Sequence, residues 1–226
     1  MKWTSVIQQK IKAALVLCTI MSLIVLFNFI ERNNVAGMND SVNSIYKDRL
    51  IPATDIFYIS ENFYEKRFLT EQFLQSANGS LPVLRSQLAS HNQKINALLN
   101  KYAATYLVDE ESKYFNELKD RVREYRSVEE KVLELSLLNR KPEAAELFQR
   151  SGKPALQNTV KQLAELTRIQ TTVGGQLIKD SKGRVATASM ISSLQMVLAI
   201  ITGLIIIALI FASAISNRKE QNFHLN

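Results

Sequence analysis

The chain has 226 residues and a net charge of +7, with only 7 Gly and 4 Pro. This composition favours long helices over sheets. Five of the 28 basic residues and one of the 21 acidic residues lie in the terminal tails, which leaves 23 basic and 20 acidic residues between them. That segment carries no concentrated basic stripe of the kind that contacts a nucleic-acid backbone, so we expect no nucleic-acid partner.

The first element is an apolar run at residues 13–30, preceded by a tail at residues 1–12. Its 18 residues span about 27 Å as a helix, close to the thickness of a bilayer. A cleaved signal peptide is the alternative, with a lysine-rich start and Val-Ala-Gly at 35–37 as its cleavage site. The run is longer than the usual ~7–15 residues of a signal peptide, which favours a retained anchor.

The next segment, from Glu31 to about Ser76, carries two apolar lines at helical spacing. One line holds Ile56, Ile59 and Phe63, and the period predicts a helix. The second line runs beside it and consists of Tyr46, Leu50, Ala53 and Phe57. Two lines on one helix indicate two packed faces, one against its own bundle and one against a partner subunit. Pro52 is expected to kink this helix.

Three further helices follow at the same period. The second is expected from about Pro82 to Thr105 and the third from Asp109 to about residue 138. A short helix starts at Pro142, and a break is expected at residues 151–154 before the fourth helix. Four amphipathic helices joined by short connections predict an all-α, up-down-up-down four-helix bundle.

The last apolar run, residues 196–215, has 20 residues and spans about 30 Å as a helix. We therefore expect transmembrane helices at 13–30 and 190–215, a bundle domain at 31–189 and a tail at 216–226. Both tails are basic, and long segments cross the membrane largely regardless of charge. The sequence thus predicts a two-pass protein of the bacterial inner membrane, with both termini cytoplasmic and the bundle periplasmic.

The chain carries no recognisable catalytic or metal-binding motif. His-Glu-x-x-His, paired cysteines, Gly-rich phosphate loops and Gly-x-Ser-x-Gly are all missing from the sequence, so we expect no enzyme, no metal and no cofactor. His91 falls in the core register of its helix and is expected to be partly buried. The acidic clusters 109–111 and 129–130 are expected on solvated surfaces at helix starts and faces.

Five residues of the first outer helix are candidate ligand contacts. Arg49 falls inside an apolar line, where an unpaired guanidinium is costly. It has three options: an acid across the bundle, solvent, or an anionic ligand between subunits. Tyr64, Lys66, Arg67 and Thr70 form a cationic and hydroxyl-bearing patch, on which a carboxylate-bearing metabolite could be held by charge-assisted bonds. A solvated face is the alternative.

The order of tail, span, helical bundle and span resembles the sensory half of bacterial methyl-accepting chemotaxis receptors. Residues 44–52, Ser-Ile-Tyr-Lys-Asp-Arg-Leu-Ile-Pro, are similar to the segment that follows the first span in the four-helix-bundle sensor family. Residues 109–118 and 140–147 are similar to that family's third helix and the segment after it. The resemblance implies a sensor that binds a small ligand and signals through membrane-helix movement.

Only residues 216–226 follow the second run, whereas family members continue into a HAMP linker and a cytoplasmic signalling hairpin. The resemblance therefore implies a sensor without its own output, which acts as a homodimer or as a mixed dimer with a full-length receptor. A small anionic metabolite is the expected ligand. A structural or assembly protein without a ligand, or a truncated receptor, remains the alternative.

Overall fold

The computed structural model describes the backbone of residues 2–223 and the side chains of residues 12–211. It is an all-α four-helix bundle continuous with two long apolar helices. The described residues form six α-helices and two π-helical turns in this order: α1 Lys2–Ser44, a π-turn Ile45–Leu50, α2 Ile51–Gln75, α3 Leu81–Ala103, α4 Asp109–Leu137, α5 Lys141–Leu147, a π-turn Phe148–Gly152 and α6 Lys153–Phe223.

The chain divides into two compact units. One, called here the bundle, is Val42–Ile178. The other, the helix pair, comprises Met1–Ser41 and Lys179–Asn226. In the helix pair the Arg184 guanidinium lies against Gly37, in the space that a Cβ would fill.

The bundle is held together by a continuous apolar core from its helices. The predicted line on α2 is buried, with Ile56, Ile59 and Phe63 at most 3% exposed. These side chains pack with a set from the other helices: Ile95, Leu99, Tyr102, Phe115, Leu118, Val122, Tyr125, Ala155, Leu156, Leu163 and Leu166. Burial of this apolar surface is the main force that assembles amphipathic helices.

The residues in the short loops suit the backbone conformations found there. The turn between α2 and α3 contains Gly79, where a Cβ would meet the Phe73 ring. Asn139 adopts a positive φ of 58° between α4 and α5, a conformation that asparagine tolerates better than most residues. Pro142 lies at the start of α5, as the sequence predicts, because its missing N–H is not needed in the first turn.

Two π-turns lie beside the prolines for which a kink and a break are predicted. Ile45–Leu50 ends two residues before Pro52, and the N–H of Ile51 donates to the Tyr46 carbonyl five residues back. At the second turn Lys153 N–H donates to the Phe148 carbonyl in the same way. The break expected at 151–154 is therefore wrong, because the wider turn accommodates Pro154 and the helix continues into α6.

Two helices are long and apolar enough to cross a membrane by length and composition. Within Lys12–Gln75 and Lys141–Phe211, the most apolar 18-residue windows have mean hydropathies of 2.5 and 2.8. No residue of either window is buried. Continuous apolar surfaces of this length are unfavourable in water, so these two helices fit a membrane protein.

Candidate functional site

A cleft on the surface of the bundle brings together two of the predicted ligand contacts. Tyr64 and Arg67 on α2 line it together with Lys153, Gln157 and Lys161 of α6. Its volume is about 470 Å³, which is within the range of small-molecule sites. We call this the α2/α6 cleft.

The α2/α6 cleft has an excess of positive charge. An acid outside the lining, Glu71, accepts a hydrogen bond from Arg67 at 3.2 Å and pairs with Lys153 at 2.9 Å. Partial burial acts to raise the pKa of the Glu71 carboxyl, but the bonds from Lys153 and Arg67 outweigh it and lower the pKa. Among the described side chains Lys161 forms no ion pair, so a cation is left to face a ligand.

Lys66 and Thr70 do not lie on this surface. Lys66 is 0% and Thr70 1% exposed, because they continue the core line of α2 from Phe63 to Phe73 at steps of three and four. The four residues predicted as one patch therefore divide between two faces of α2. Tyr64 and Arg67 face the cleft, and Lys66 and Thr70 face the core.

Lys66 forms the centre of a buried polar cluster in the bundle. Its Nζ lies 2.8 Å from Glu129 Oε2 and donates to Asn92 Oδ1 at 2.6 Å. Asn92 Nδ2 in turn donates to Glu129 Oε1 at 2.9 Å. The expectation that Glu129 lies on a solvated face is wrong, because the ammonium of Lys66 compensates its charge in the core.

Aromatic rings complete the surroundings of Lys66. The ammonium lies 4.8 Å from the centre of the Tyr125 ring and 5.4 Å from that of Phe63. Burial lowers the pKa of Lys66, and the carboxylate of Glu129 offsets part of that effect. Burial also raises the pKa of Tyr125, so its phenol stays neutral at physiological pH.

Arg49 forms a second buried polar cluster, and it takes the first of its three options, an acid across the bundle. Its Nη1 donates to Glu111 Oε2 at 2.7 Å, and its Nη2 donates to the Tyr106 carbonyl at 3.0 Å. Glu111 lies in the first turn of α4, as predicted, but it is 0% exposed, so the expectation of a solvated surface is wrong for it. The guanidinium holds it inside the bundle, where an unpaired carboxylate would be costly.

Tyr102 and Gln170 complete the Arg49 cluster. Tyr102 Oη donates to Glu111 Oε1 at 2.6 Å, and Gln170 Nε2 donates to the same oxygen at 2.5 Å. Burial and the negative charge of Glu111 raise the pKa of the Tyr102 hydroxyl, which therefore remains a donor. The cluster joins the π-turn, α3, α4 and α6 through side chains alone.

His91 is partly buried, as its register predicts. Its Nδ1 is 2.7 Å from Asn62 Oδ1, a pairing in which the ring nitrogen carries the proton. Burial lowers the pKa of His91, and the nearby Lys94 acts in the same direction. Within residues 12–211 no group of three or more His, Cys, Asp or Glu side chains is placed to hold a metal ion.

Sequence reasoning did not single out the α6 side of the cleft. Lys153 and Lys161 lie eight residues apart, close to two helical turns, and so occupy one face of α6. The spacing of the two lysines can be read from the sequence, but the sequence does not indicate that this face of α6 lies opposite Tyr64 and Arg67. The packing of α2 against α6 in the folded bundle brings these residues together.

The comparisons with known proteins point to one family. A family model described as "Four helix bundle sensory module for signal transduction" matches residues 4–185. Neither the comparison with curated proteins nor the comparison with solved structures gave a match.

Proposed function

We propose that this chain, which belongs to the family of four-helix-bundle sensory modules for signal transduction, is a chemoreceptor-type membrane sensor. Its bundle binds a small anion in the α2/α6 cleft and passes the signal to another protein through movement of a membrane helix. The observation that carries the proposal is the lining of the cleft. Five of its seven lining residues belong to α6, the same uninterrupted helix that contains the second apolar run.

A small carboxylate is the ligand class that suits this cleft. Arg67, Lys153 and Lys161 offer nitrogen donors with positive charge, and hydrogen bonds between charged partners are roughly twice as strong as neutral ones. Glu71 already neutralises part of this charge in the free protein. A bound carboxylate would compete with Glu71 for Arg67 and Lys153, and would thereby change how α2 and α6 are held together.

Such a change has a direct route to the membrane. α6 runs as Lys153–Phe223, so a shift of its cleft-lining residues is a shift of the helix that carries the apolar run. Displacements of about 1–2 Å between packed helices are an established mode of switching. No enzymatic step is needed for this output.

A second copy of the chain is the proposed partner on α2. Side chains at heptad-like spacing leave a row of large apolar groups exposed on this helix and the π-turn before it: Tyr46, Leu50, Phe57, Tyr64 and Phe68 are each at least 50% exposed. Coiled-coil packing between two such rows would bury them. A mixed dimer with a longer receptor would use the same row.

The proposed location is the bacterial inner membrane, with the bundle in the periplasm and both termini in the cytoplasm. The support is the basic character of both tails together with the length of the segment between the apolar runs. Replacing Cys18 by Ser and Leu137 by Cys provides a test, because Leu137 is 63% exposed on α4. A membrane-impermeant thiol reagent should label Cys at 137 in intact spheroplasts, whereas labelling only after lysis would contradict this topology.

Ligand binding is tested by thermal unfolding of the full chain in nanodiscs, followed by circular dichroism against a panel of mono- and dicarboxylates. A ligand at a hundredfold excess over its Kd adds about 2.7 kcal/mol to the unfolding free energy. Lys161→Gln should abolish the shift, and Lys131→Gln, which removes an exposed charge from α4, should leave it intact. If no carboxylate shifts the wild-type melt, an assembly role without a ligand becomes the better explanation.

A further inference from the structure

A second polar cleft lies on the bundle between α3 and α4. Three cationic side chains of α4, those of Lys119, Arg123 and Arg126, line it together with the amides of Asn96 and Asn116. Its volume is about 440 Å³. We call it the α3/α4 cleft, and it shares no lining residue with the α2/α6 cleft.

The three cations lie on one face of α4, since steps of four and three residues place side chains side by side on a helix. The one acid in the lining, Asp120, is already bonded to Arg123. Lys119 has its ammonium 5.0 Å from the centre of the Phe115 ring and forms no ion pair among the described side chains. The lining therefore holds two more cations than anions.

Arg126 forms hydrogen bonds but no ion pair among the described side chains. Its Nη2 donates to Asn96 Oδ1 at 2.5 Å and lies 3.4 Å from the Asn92 carbonyl oxygen. Its Nε is buried and has no hydrogen-bond partner among the described residues. Both of its acceptors are neutral, so the guanidinium charge is not balanced by a carboxylate. An anionic oxygen beside this guanidinium would balance its charge.

We propose that the α3/α4 cleft is a second binding site, for a small oxyanion with two negative charges. The planar guanidinium groups of Arg123 and Arg126 suit bidentate contact with such an oxyanion, and the amides of Asn96 and Asn116 add neutral donors. A phosphate and a short dicarboxylate share this chemistry. The size of the cleft and the presence of Asp120 favour either of them over a larger polyanion.

This site is connected to the buried Lys66 cluster. Arg126 approaches the backbone carbonyl of Asn92, and the side chain of the same Asn92 bonds to both Lys66 and Glu129. An anion bound to Arg126 would pull on this carbonyl contact and weaken the repulsion between the cations of Arg126 and Lys66. Binding in the α3/α4 cleft would therefore affect the contacts of α2, a helix that also lines the α2/α6 cleft.

Isothermal titration of the full chain in phosphatidylcholine nanodiscs tests the proposal, with inorganic phosphate and succinate as separate probes. At least one probe should bind, and Arg123→Gln and Lys119→Gln should each weaken it about tenfold, the effect of losing one charge-assisted contact. Arg121→Gln is the matched control. It removes one exposed charge from the same helix, and among the described side chains Arg121 forms an ion pair only with Glu124, at 2.9 Å.

Three outcomes would overturn the proposal. Neither probe binds, Arg121→Gln weakens binding as much as Arg123→Gln, or Arg67→Gln in the α2/α6 cleft abolishes the binding of the probe. Far-ultraviolet circular dichroism of each variant establishes that the helices are intact. Because Lys161→Gln and Arg67→Gln report on the other cleft, failure of this site and failure of the proposed sensor function give different patterns.

Discussion

The bundle buries two ion pairs, and they differ in what their charges can do. Arg49 and Glu111 lie in a cluster that also includes Tyr102 and Gln170, and both carboxylate oxygens accept hydrogen bonds. Lys66 and Glu129 lie in a cluster where Asn92 bonds to both of them, aromatic rings surround the ammonium and the cation of Arg126 lies nearby. An arginine cannot lose its proton inside a protein, whereas a lysine can.

This difference assigns distinct roles to the two clusters. The Arg49 guanidinium keeps its charge at every accessible pH, so its cluster acts as a fixed joint between the π-turn, α3, α4 and α6. The Lys66 ammonium can lose its proton, so the strength of its cluster depends on pH and on nearby charge. Removing one partner from each pair would distinguish these roles. The group left behind is a permanently charged guanidinium in the Arg49 cluster and a carboxyl in the Lys66 cluster.

The largest effect is expected from Glu111→Ala. The variant leaves the Arg49 guanidinium buried without a counter-charge and should lower the unfolding free energy by about 3–5 kcal/mol. Urea denaturation of the full chain in detergent, followed by circular dichroism, measures the loss. Glu110→Ala is the control, since Glu110 is the exposed neighbour that pairs with Arg168 at 3.0 Å. A loss for Glu111→Ala no greater than that for Glu110→Ala would contradict a structural role for the cluster.

Lys66→Met should cost less, about 2 kcal/mol at pH 7. The carboxyl left behind, Glu129, keeps its hydrogen bond from Asn92 Nδ2, whereas Glu111→Ala leaves a guanidinium that stays charged inside the bundle. The same denaturation experiment measures the difference. A loss for Lys66→Met as large as that for Glu111→Ala would contradict the proposed difference between the two clusters.

A smaller effect is expected for the intact pair at alkaline pH. Burial lowers the pKa of Lys66, so the unfolded chain binds more protons than the folded chain just below the ordinary pKa of lysine. Wild-type stability relative to Lys66→Met should therefore rise with pH in that window, by at most about 1.4 kcal/mol per pH unit. Other groups titrate in both proteins and cancel. If the stability of the wild type relative to Lys66→Met falls over the same window, the carboxylate of Glu129, rather than burial, controls the pKa of Lys66.

The smallest effect concerns His91, which bonds to Asn62 beside the Lys66 cluster. Burial lowers the pKa of His91, with a contribution from Lys94, so the neutral ring is preferred in the folded protein. Stability relative to His91→Gln should be lost as pH falls through the lowered pKa of the folded state. Among the other charges near the ring, Lys66 opposes its protonation and Glu65 and Glu129 favour it. Parallel melts of the two proteins between pH 7 and pH 5 give the difference.

The helices and most of their ends could be predicted because their signals are local. Asp109 and Pro142 stand at or next to the first residue of α4 and α5, and the core line of α2 follows directly from its spacing. The register even indicated that Arg49 is an unusual charge in an apolar line. Each of these inferences needs only residues within a few turns of one another.

The clusters could not be predicted, because their partners are far apart in the chain. Glu111 is 62 residues from Arg49, and its position four residues before Phe115, on the core line of α4, does not reveal which residue pairs with it. Lys66 did carry a signal, since it lies three residues after Phe63 and four before Thr70 on the core line. The charge of Lys66 predicted a ligand-binding or solvated surface, whereas its position on this line indicates burial. That Glu129 can balance the charge of Lys66 inside the core becomes apparent only when α2 and α4 are packed together.

The π-turn Ile45–Leu50 gives this chain a spare residue between its first apolar helix and α2. In a π-turn the hydrogen bonds reach back five residues rather than four, so removing one residue there would restore ordinary α-helical bonding. Such a deletion would turn everything on its N-terminal side by about 100° and draw it in by about 1.5 Å. A set of single-residue deletions across this turn would therefore rotate the first apolar helix without changing any of its own residues.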